Sequence, residues 1–308
     1  MARARPVLID TDPGVDDALA LLLAWGSPEI VVRALTTVAG NVPLEAATAN
    51  ARRLVALRQP SPAPLIAAGA AAPLGRPLVT ATHYHGDDGL GDVGDWPTST
   101  LGVAREHASA VIAKAARELG PDLVLIALGP LTNVAQALEV DADALRQVGR
   151  VVIMGGAVDV PGNVTPVAEF NIHVDPEAAA RVFAADLPID LVPLDATHQV
   201  ILPRERLDQA LARAPGALAG RVAAFTARSF EADIARGRPG MILHDPLAVG
   251  VAVGDFAEWE ALRLAVDPDG RTRRVLGPAN CRVALRIRAE AFLATFLARL
   301  AAAPASAD

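Results

Sequence analysis

Four aspartates lie within eight residues near the start of the chain: Asp10, Asp12, Asp16 and Asp17. Carboxylates held this close repel one another and take up protons, unless a cation or hydrogen-bond donors offset the repulsion. No cysteine or paired histidine lies nearby in the sequence, so the available ligands are hard oxygen atoms, which favour Ca²⁺ or Mg²⁺ over Zn²⁺. The cluster therefore predicts a divalent-cation site.

A simpler interpretation of each aspartate is structural. Asp-Pro-Gly is a common turn, and Asp16 or Asp17 could cap the helix that follows by accepting hydrogen bonds from its first amides. One cap needs only one acceptor, so capping leaves most of the cluster unexplained.

The elements around the cluster alternate between two patterns. Short apolar, β-branched runs, typical of strands, occupy residues 7–9, 30–38, 123–128, 151–154 and 189–192. Ala/Leu-rich amphipathic runs, typical of helices, occupy residues 16–25, 43–57, 103–119, 131–138 and 176–184. This alternation predicts an α/β fold with a mostly parallel, doubly wound (Rossmann-like) central sheet flanked by helices. Polar clusters follow several strands, at the sheet edge where such folds bind ligands.

Composition limits the class of protein. The 308 residues are 52% hydrophobic with a net charge of −7, which argues against binding a nucleic-acid polymer. Cys281 is the only cysteine, so no intrachain disulfide can form. No signal peptide or apolar run long enough to cross a membrane is visible, and we predict a soluble, cytoplasmic protein.

No linker or repeat divides the chain, so residues 1–308 are predicted to form a single domain. Residues 73–100 are rich in Gly and Asp without a clear period, which indicates a long loop of the kind that covers an active site. The Ala-rich residues 301–308 are predicted to be a frayed tail. The apolar helix at residues 289–300 could pack in the core or in an interface.

Taken in order, short motifs of this sequence resemble the inosine–uridine-preferring nucleoside hydrolase family. They are DTDPGVDDA at 10–18, VAGN at 38–41, HGDDGL at 85–90, GPLTN at 129–133, MGG at 154–156, AEFN at 168–171, DPE at 175–177 and LHDPLAV at 243–249. Each motif alone is weak, but the ordered set is specific and spans most of the chain.

The resemblance implies hydrolysis of the N-glycosidic bond of purine or pyrimidine ribonucleosides to ribose and free base, in nucleoside catabolism or salvage. It also implies one Ca²⁺ ion and a homodimer or homotetramer. Cleavage of this bond builds positive charge on the ribosyl ring, so nearby carboxylates and an activated water suit the reaction.

The resemblance also assigns roles to individual residues. The implied calcium ligands are Asp12, Asp17, Asp245 and the backbone carbonyl of Leu128. Asp12 is implied to act also as the base on the calcium-bound water, with Asp10 in support. Sugar contacts are implied for Asp16, Asn41, Asn171, Asn163, Glu169, Met154 and Phe170. The interpretation of Asn41 and Asn163 without the family is a Gly-Asn turn.

Contacts to the base are less well defined by the sequence. His244, directly before Asp245, resembles the residue that protonates the leaving base, and with Asp12 and Asn171 it completes the implied catalytic set. His85 resembles a base-side histidine, while the other histidines are predicted to be surface or packing residues. The helix before His244 lacks the tyrosines common in the family. Arg236 in this helix is a candidate base contact, although a long arginine on a helix is usually solvated or packs by its stem.

Two other functions fit parts of the sequence. An Asp-x-Asp phosphatase also places acids after its first strand, but it uses a lysine, and the only lysine here, Lys114, has no supporting motif. A nucleoside- or ribose-binding relative with little turnover would retain the metal and sugar contacts. Retention of Asp12, Asn171 and His244 together favours an enzyme.

Overall fold

The structure, a computed structural model, describes residues 4–302. The strands are β1 (Arg5–Thr11), β2 (Ile30–Thr37), β3 (Leu65–Ala68), β4 (Val124–Ala127), β5 (Arg150–Met154), β6 (Ile189–Val192), β7 (Ile201–Leu202), β8 (Met241–Ile242), β9 (Ala257–Leu262), β10 (Leu264–Val266), β11 (Thr272–Arg274) and β12 (Cys281–Ile287). The helices are α1 (Val15–Trp25), α2 (Leu44–Arg58), α3 (Thr82–His85), α4 (Ala108–Leu119), α5 (Thr132–Arg146), α6 (Phe170–Val174), α7 (Pro176–Phe183), α8 (Leu194–Thr197), α9 (Arg204–Leu211), α10 (Gly216–Ala235), α11 (His244–Val253) and α12 (Ala289–Ala301).

A central eight-stranded sheet has the order β3-β2-β1-β4-β5-β6-β12-β9 within the described residues. Every pair in it is parallel except β12 with β9 at one edge. Strand β1 lies between β2 and β4, with Asp10 opposite Thr36 and Ala127. The carboxyl ends of these three strands therefore meet at one edge, as the mostly parallel α/β prediction requires.

Helix α1 is buried on almost its whole surface, because its side chains from Ala18 to Ala24 are apolar and pack between the sheet and α11 and α12. Helix α12 contributes Phe292, Phe296 and Leu300 to the same core. The apolar face of this C-terminal helix is thus a core face of the protomer.

Two predicted helix boundaries differ from the structure. The helix predicted from residue 103 begins at Ala108, because the His107 side chain accepts a hydrogen bond from the Ser109 amide and caps it. The helix predicted at 131–138 continues to Arg146 through a kink at Asp141. Strands β3, β9 and β12 were not predicted.

The predicted loop 73–100 contains one short helix, α3, and otherwise lacks regular structure. Ala301 is the last residue of α12 rather than part of a tail, and residues 303–308 lie outside the described range. No helix in residues 4–302 is long and apolar enough to cross a membrane.

Candidate active site

The acidic cluster lies where β1 meets α1, and the start of α11, a helix packed against α1, completes it. One carboxylate oxygen from each of Asp16, Asp17 and Asp245 lies within 4.8 Å of the others. Asp16 and Asp17 are in the first turn of α1, and Asp245 is in the first turn of α11, which packs against α1. Packing of these two helices therefore brings together acids that are more than two hundred residues apart.

Asp12 lies beside this group, fully buried, with its two oxygens in different environments. Its Oδ2 accepts a hydrogen bond of 2.6 Å from the Asn41 amide, while its Oδ1 has no hydrogen-bond partner. A Cβ at Gly40 would lie 2.0 Å from Oδ2, so this position requires glycine for the loop after β2 to approach the carboxylate. The chain thus builds a tight cradle around Asp12 and leaves one oxygen free.

Burial dominates the electrostatics of the cluster. It raises the pKa of Asp16 to about 8, with repulsion from Asp17 adding to the shift. Burial raises the pKa of Asp12 and of Asp245 well above their ordinary range, and the neighbouring carboxylates raise both further. A bound cation would reverse these shifts, because it stabilises the ionised carboxylates.

The donor set fits a hard divalent cation. The mutually close acids offer carboxylate oxygens, and the partnerless Asp12 Oδ1 is a buried acceptor that a cation would satisfy. The Leu128 carbonyl accepts a hydrogen bond of 2.6 Å from Asn171 Nδ2, which leaves its second lone pair for another partner. Asp16, predicted as a sugar contact, belongs to the mutually close acids, whereas Asp12 does not.

Asp10 faces away from the pocket and joins neighbouring strands. It accepts 2.6 Å from the Thr36 hydroxyl and 2.8 Å from Asn133 Nδ2, and burial raises its pKa to about 7. Asn133 also donates to the Thr37 carbonyl. These bonds tie the ends of β1 and β2 to the start of α5.

The side of the pocket predicted to hold the sugar is built around α6. Glu169 caps this helix by accepting from the Asn171 and Ile172 amides at 2.9 and 3.1 Å, and it also accepts 2.9 Å from the Gly156 amide. Asn163 Oδ1 accepts 3.0 Å from the Phe170 amide. These contacts fix the backbone that presents Asn171 to the pocket.

Two histidines also line the cavity: His85 is buried and His244 is partly buried. The Val15 amide donates 3.1 Å to His85 Nδ1, so the proton of the neutral His85 ring is on Nε2. His244 Nδ1 lies 2.8 Å from the Thr197 hydroxyl. Burial lowers the pKa of both histidines to about 3. Each ring is therefore neutral near pH 7 and offers a hydrogen bond rather than a positive charge.

These residues line one cavity of about 350 Å³, a size typical of small-molecule sites. The predicted residues that line it are Asp16, Asn41, His85, Leu128, Met154, Asn163, Glu169, Phe170, Asn171, Arg236, His244 and Asp245. Asp12 and Asp17 are buried beneath it. All predicted site residues therefore lie in the cavity wall or in its floor.

The cavity wall includes residues to which the sequence assigned no role: Ala81, His83, Tyr84, Gly162, Val164 and Arg238. His83, predicted to be a surface or packing residue, is exposed and still lines the cavity. Tyr84 is the only tyrosine of the chain, and its position next to His85 was the available signal. Nothing in the sequence singled out Thr197 as the partner of His244.

The family model for inosine-uridine preferring nucleoside hydrolases matches residues 7–294. The chain belongs to this family. Its membership confirms the resemblance carried by the ordered motifs and excludes the phosphatase alternative. The protein is a ribonucleoside hydrolase, an enzyme that hydrolyses the N-glycosidic bond.

Proteins similar to this nucleoside hydrolase are themselves named as nucleoside hydrolases. The pyrimidine-specific ribonucleoside hydrolase RihA of Escherichia fergusonii is 38% identical over 248 residues, which cover 80% of this chain and 78% of that enzyme. A purine-preferring ribonucleoside hydrolase from Gardnerella vaginalis has a TM-score of 0.91 and 31% identity, covering 96% of this chain and 98% of its own. The plant nucleoside hydrolase PpNRh1 has a TM-score of 0.91 and 32% identity, covering 97% and 99%.

Proposed function

We propose that this nucleoside hydrolase is calcium-dependent, with Asp12, Asp17, Asp245 and the Leu128 carbonyl as the calcium ligands. The observation that carries the proposal is the buried Asp12 Oδ1, which has no partner and lies beside the mutually close acids at the cavity floor. Bound there, Ca²⁺ would offset the repulsion among the carboxylates and lower the pKa of a coordinated water.

The chain's own residues divide the rest of the reaction. Asp12 Oδ1 has two lone pairs and no hydrogen-bond partner, so it can bind the cation with one lone pair and accept the proton of the attacking water with the other. The buried carboxylates stabilise the positive charge that grows on the ribosyl ring as the bond to the base breaks. The neutral His244 ring donates a hydrogen bond from Nε2 to the leaving base, while its Nδ1 accepts one from the Thr197 hydroxyl.

The sugar contacts follow from the position of each residue in the cavity wall. We assign Asp16, Asn41 and Asn171 to the ribose hydroxyls, and Asn163 with Glu169 to the 5′-hydroxyl. Met154 and Phe170 pack against the sugar ring. What supports this assignment is that all of these residues line the same cavity above the acidic floor.

The relatives include both a pyrimidine-specific enzyme and a purine-preferring one, so family membership alone does not fix the base preference. We propose pyrimidine ribonucleosides as substrates, on the higher identity to the pyrimidine-specific relative. His85 and Arg236 are assigned to the base, since both line the cavity.

The test is release of ribose from uridine, cytidine, inosine, adenosine and guanosine. The calcium-loaded protein should release ribose, chelation with EGTA should abolish the release, and added Ca²⁺ should restore it. Absence of ribose from every nucleoside would overturn the proposed function. Full activity after exhaustive chelation would overturn the calcium requirement alone.

Three further expectations from the sequence remain proposals. We propose that residues 1–308 form a single domain, that the protein assembles as a homodimer or homotetramer, and that it is cytoplasmic. Light scattering after size exclusion measures the mass of the assembly, and a single cooperative calorimetric transition supports one domain.

A further inference from the structure

Asp233, in the last turn of α10, is a fully buried carboxylate next to the cavity. It accepts 3.1 Å from the Tyr84 hydroxyl, 2.6 Å from Arg238 Nη1 and 3.3 Å from the Ile242 amide. Arg236 Nη1 lies 3.7 Å away. The Asp233 carboxylate thus joins the loop that bears Tyr84 to the segment that leads into α11.

The backbone fixes Arg238 as well. Helix α10 ends in a turn in which the Arg236 and Arg238 amides both donate to the Asp233 carbonyl, at 3.1 and 3.0 Å. Gly237 has φ +78°, the left-handed conformation that ends many helices. Arg238 is therefore held to Asp233 by its main chain and by its side chain.

Tyr84, Arg236 and Arg238 all line the cavity, while Asp233 lies behind them. Within the Arg238 guanidinium, only Nη1 donates a hydrogen bond to another residue between 4 and 302. The other N–H groups of the guanidinium are therefore available to a ligand. Arg236 is held less firmly, since it stacks on the Tyr84 ring at 5.3 Å and its side chain is 49% exposed, against 32% for Arg238.

Arg238 is partly exposed, whereas the acids that face the sugar are at the buried floor. A nucleoside with its ribose on the floor places the edge of the base that is remote from the glycosidic bond toward Arg238. At the exocyclic position of that edge, C4 of a pyrimidine or C6 of a purine, uridine and inosine carry a carbonyl oxygen, and cytidine and adenosine carry an amino group. A guanidinium is a donor without acceptor capacity, so it pairs with the carbonyl and not with the amino group.

We propose that Arg238 is a specificity-determining residue that donates a hydrogen bond to a carbonyl oxygen on the outer edge of the base, and that Asp233 is the positioning residue that holds Arg238 for this contact. The proposal rests on the proposed function, since it needs a bound nucleoside. The sequence assigned Arg236 to the base, and the geometry points to Arg238 as the better oriented donor.

The test compares kcat/KM within two matched pairs, uridine with cytidine and inosine with adenosine. The two nucleosides of each pair differ at the outer edge of the base. Because both are measured with the same enzyme sample, the ratio of their kcat/KM values does not depend on the fraction of folded enzyme. Wild type should favour uridine and inosine. Arg238→Gln should lower at least one ratio by about 10- to 100-fold, as expected for one hydrogen bond to a charged donor.

Asp233→Asn tests the positioning role. It should lower the same ratio, and the double variant Asp233→Asn/Arg238→Gln should lower it no further than Arg238→Gln alone, because the two residues act through one contact. The control is Arg117→Gln, which removes an arginine with the same 2.6 Å ion-pair distance, to Asp141, from α4 outside the cavity. This control should leave both ratios unchanged.

The outcomes separate the two proposals. If wild type releases no ribose from any nucleoside, the proposed function fails. The role of Arg238 is overturned if active wild type prefers cytidine and adenosine. It is also overturned if Arg238→Gln lowers kcat/KM equally for all four substrates. If Arg238→Gln changes a ratio but Asp233→Asn does not, the positioning role of Asp233 is overturned.

Discussion

Replacing Asp12 with Asn should stabilise the metal-free enzyme while abolishing its activity. The Asn oxygen can retain the hydrogen bond from the Asn41 amide, and the Asn amide group takes the place of the partnerless Oδ1. There it can donate to the neighbouring acids instead of repelling them. Removing one buried, unsatisfied polar atom should raise the free energy of unfolding by about 1–3 kcal/mol.

For a chain of this size, that gain raises Tm by about 2–6 °C in the presence of chelator. Calcium should reverse the order of stability, so that wild type becomes more stable than the variant. Wild type gains about 2.7 kcal/mol at a Ca²⁺ concentration of 100 times Kd, and the variant, which has lost a ligand, gains less at the same concentration. The two stability curves, measured by thermal unfolding against Ca²⁺, should therefore cross.

Activity provides the second measurement. Loss of a general base lowers kcat by about 10²–10⁴-fold, which ribose release from uridine would detect. A variant that is less stable than wild type in chelator contradicts the unsatisfied state of Oδ1. A variant with the wild-type response to Ca²⁺ contradicts the role of Asp12 as a ligand.

Three other substitutions or reagents test separate parts of the structure. Thr197→Val removes the partner of His244 Nδ1 and should lower kcat about 5- to 10-fold at nearly constant KM, the loss expected for one neutral hydrogen bond, whereas Thr197→Ser should retain most of the rate. A fall in KM alone would contradict this. Burial raises the pKa of Cys281 to about 12, so at pH 8 roughly one thiol in 10⁴ is ionised, and Ellman's reagent should react only after denaturation; rapid labelling of the native protein would show that the thiol is accessible. Phe296→Ala should lower the free energy of unfolding by about 3–5 kcal/mol without changing the mass of the assembly measured by light scattering, because the ring is in the protomer core. A dissociated but equally stable protein would place this ring in an interface instead.

The sequence predicted those parts of the fold that repeat a simple pattern. Helix α1 is apolar from Ala18 to Trp25, so its predicted range, 16–25, differs from the observed one by a single residue. Strand β1 was predicted only for its apolar residues 7–9, and it extends two residues further at each end. Strand β12 was missed because it alternates buried residues with exposed ones such as Arg282, a pattern typical of a strand near the sheet edge. Strand β3 has only four residues, too few for a period to appear.

How well each site residue could be predicted depended on whether its partners are close to it in the sequence. Acids adjacent in sequence, such as Asp16 and Asp17, indicate a cation site by their spacing alone. Asp245 could be joined to them only through the family resemblance, because its proximity depends on the packing of α1 against α11. The contact between Tyr84 and Asp233 joins residues 149 positions apart and leaves no local pattern.

One covalent segment connects the base side of the cavity to the acidic floor. From Asp233 the chain passes through the Gly237 turn and β8 to His244 and Asp245 at the start of α11. Any displacement of that turn moves Arg238 and the start of α11 together. Substitution of Gly237 with a β-branched residue would strain a left-handed position, and the resulting shift should weaken base discrimination and metal binding in parallel. A parallel loss of the uridine/cytidine ratio and of Ca²⁺ affinity in this variant would show that base recognition and cation binding are coupled through the backbone, and a loss of only one of them would contradict the coupling.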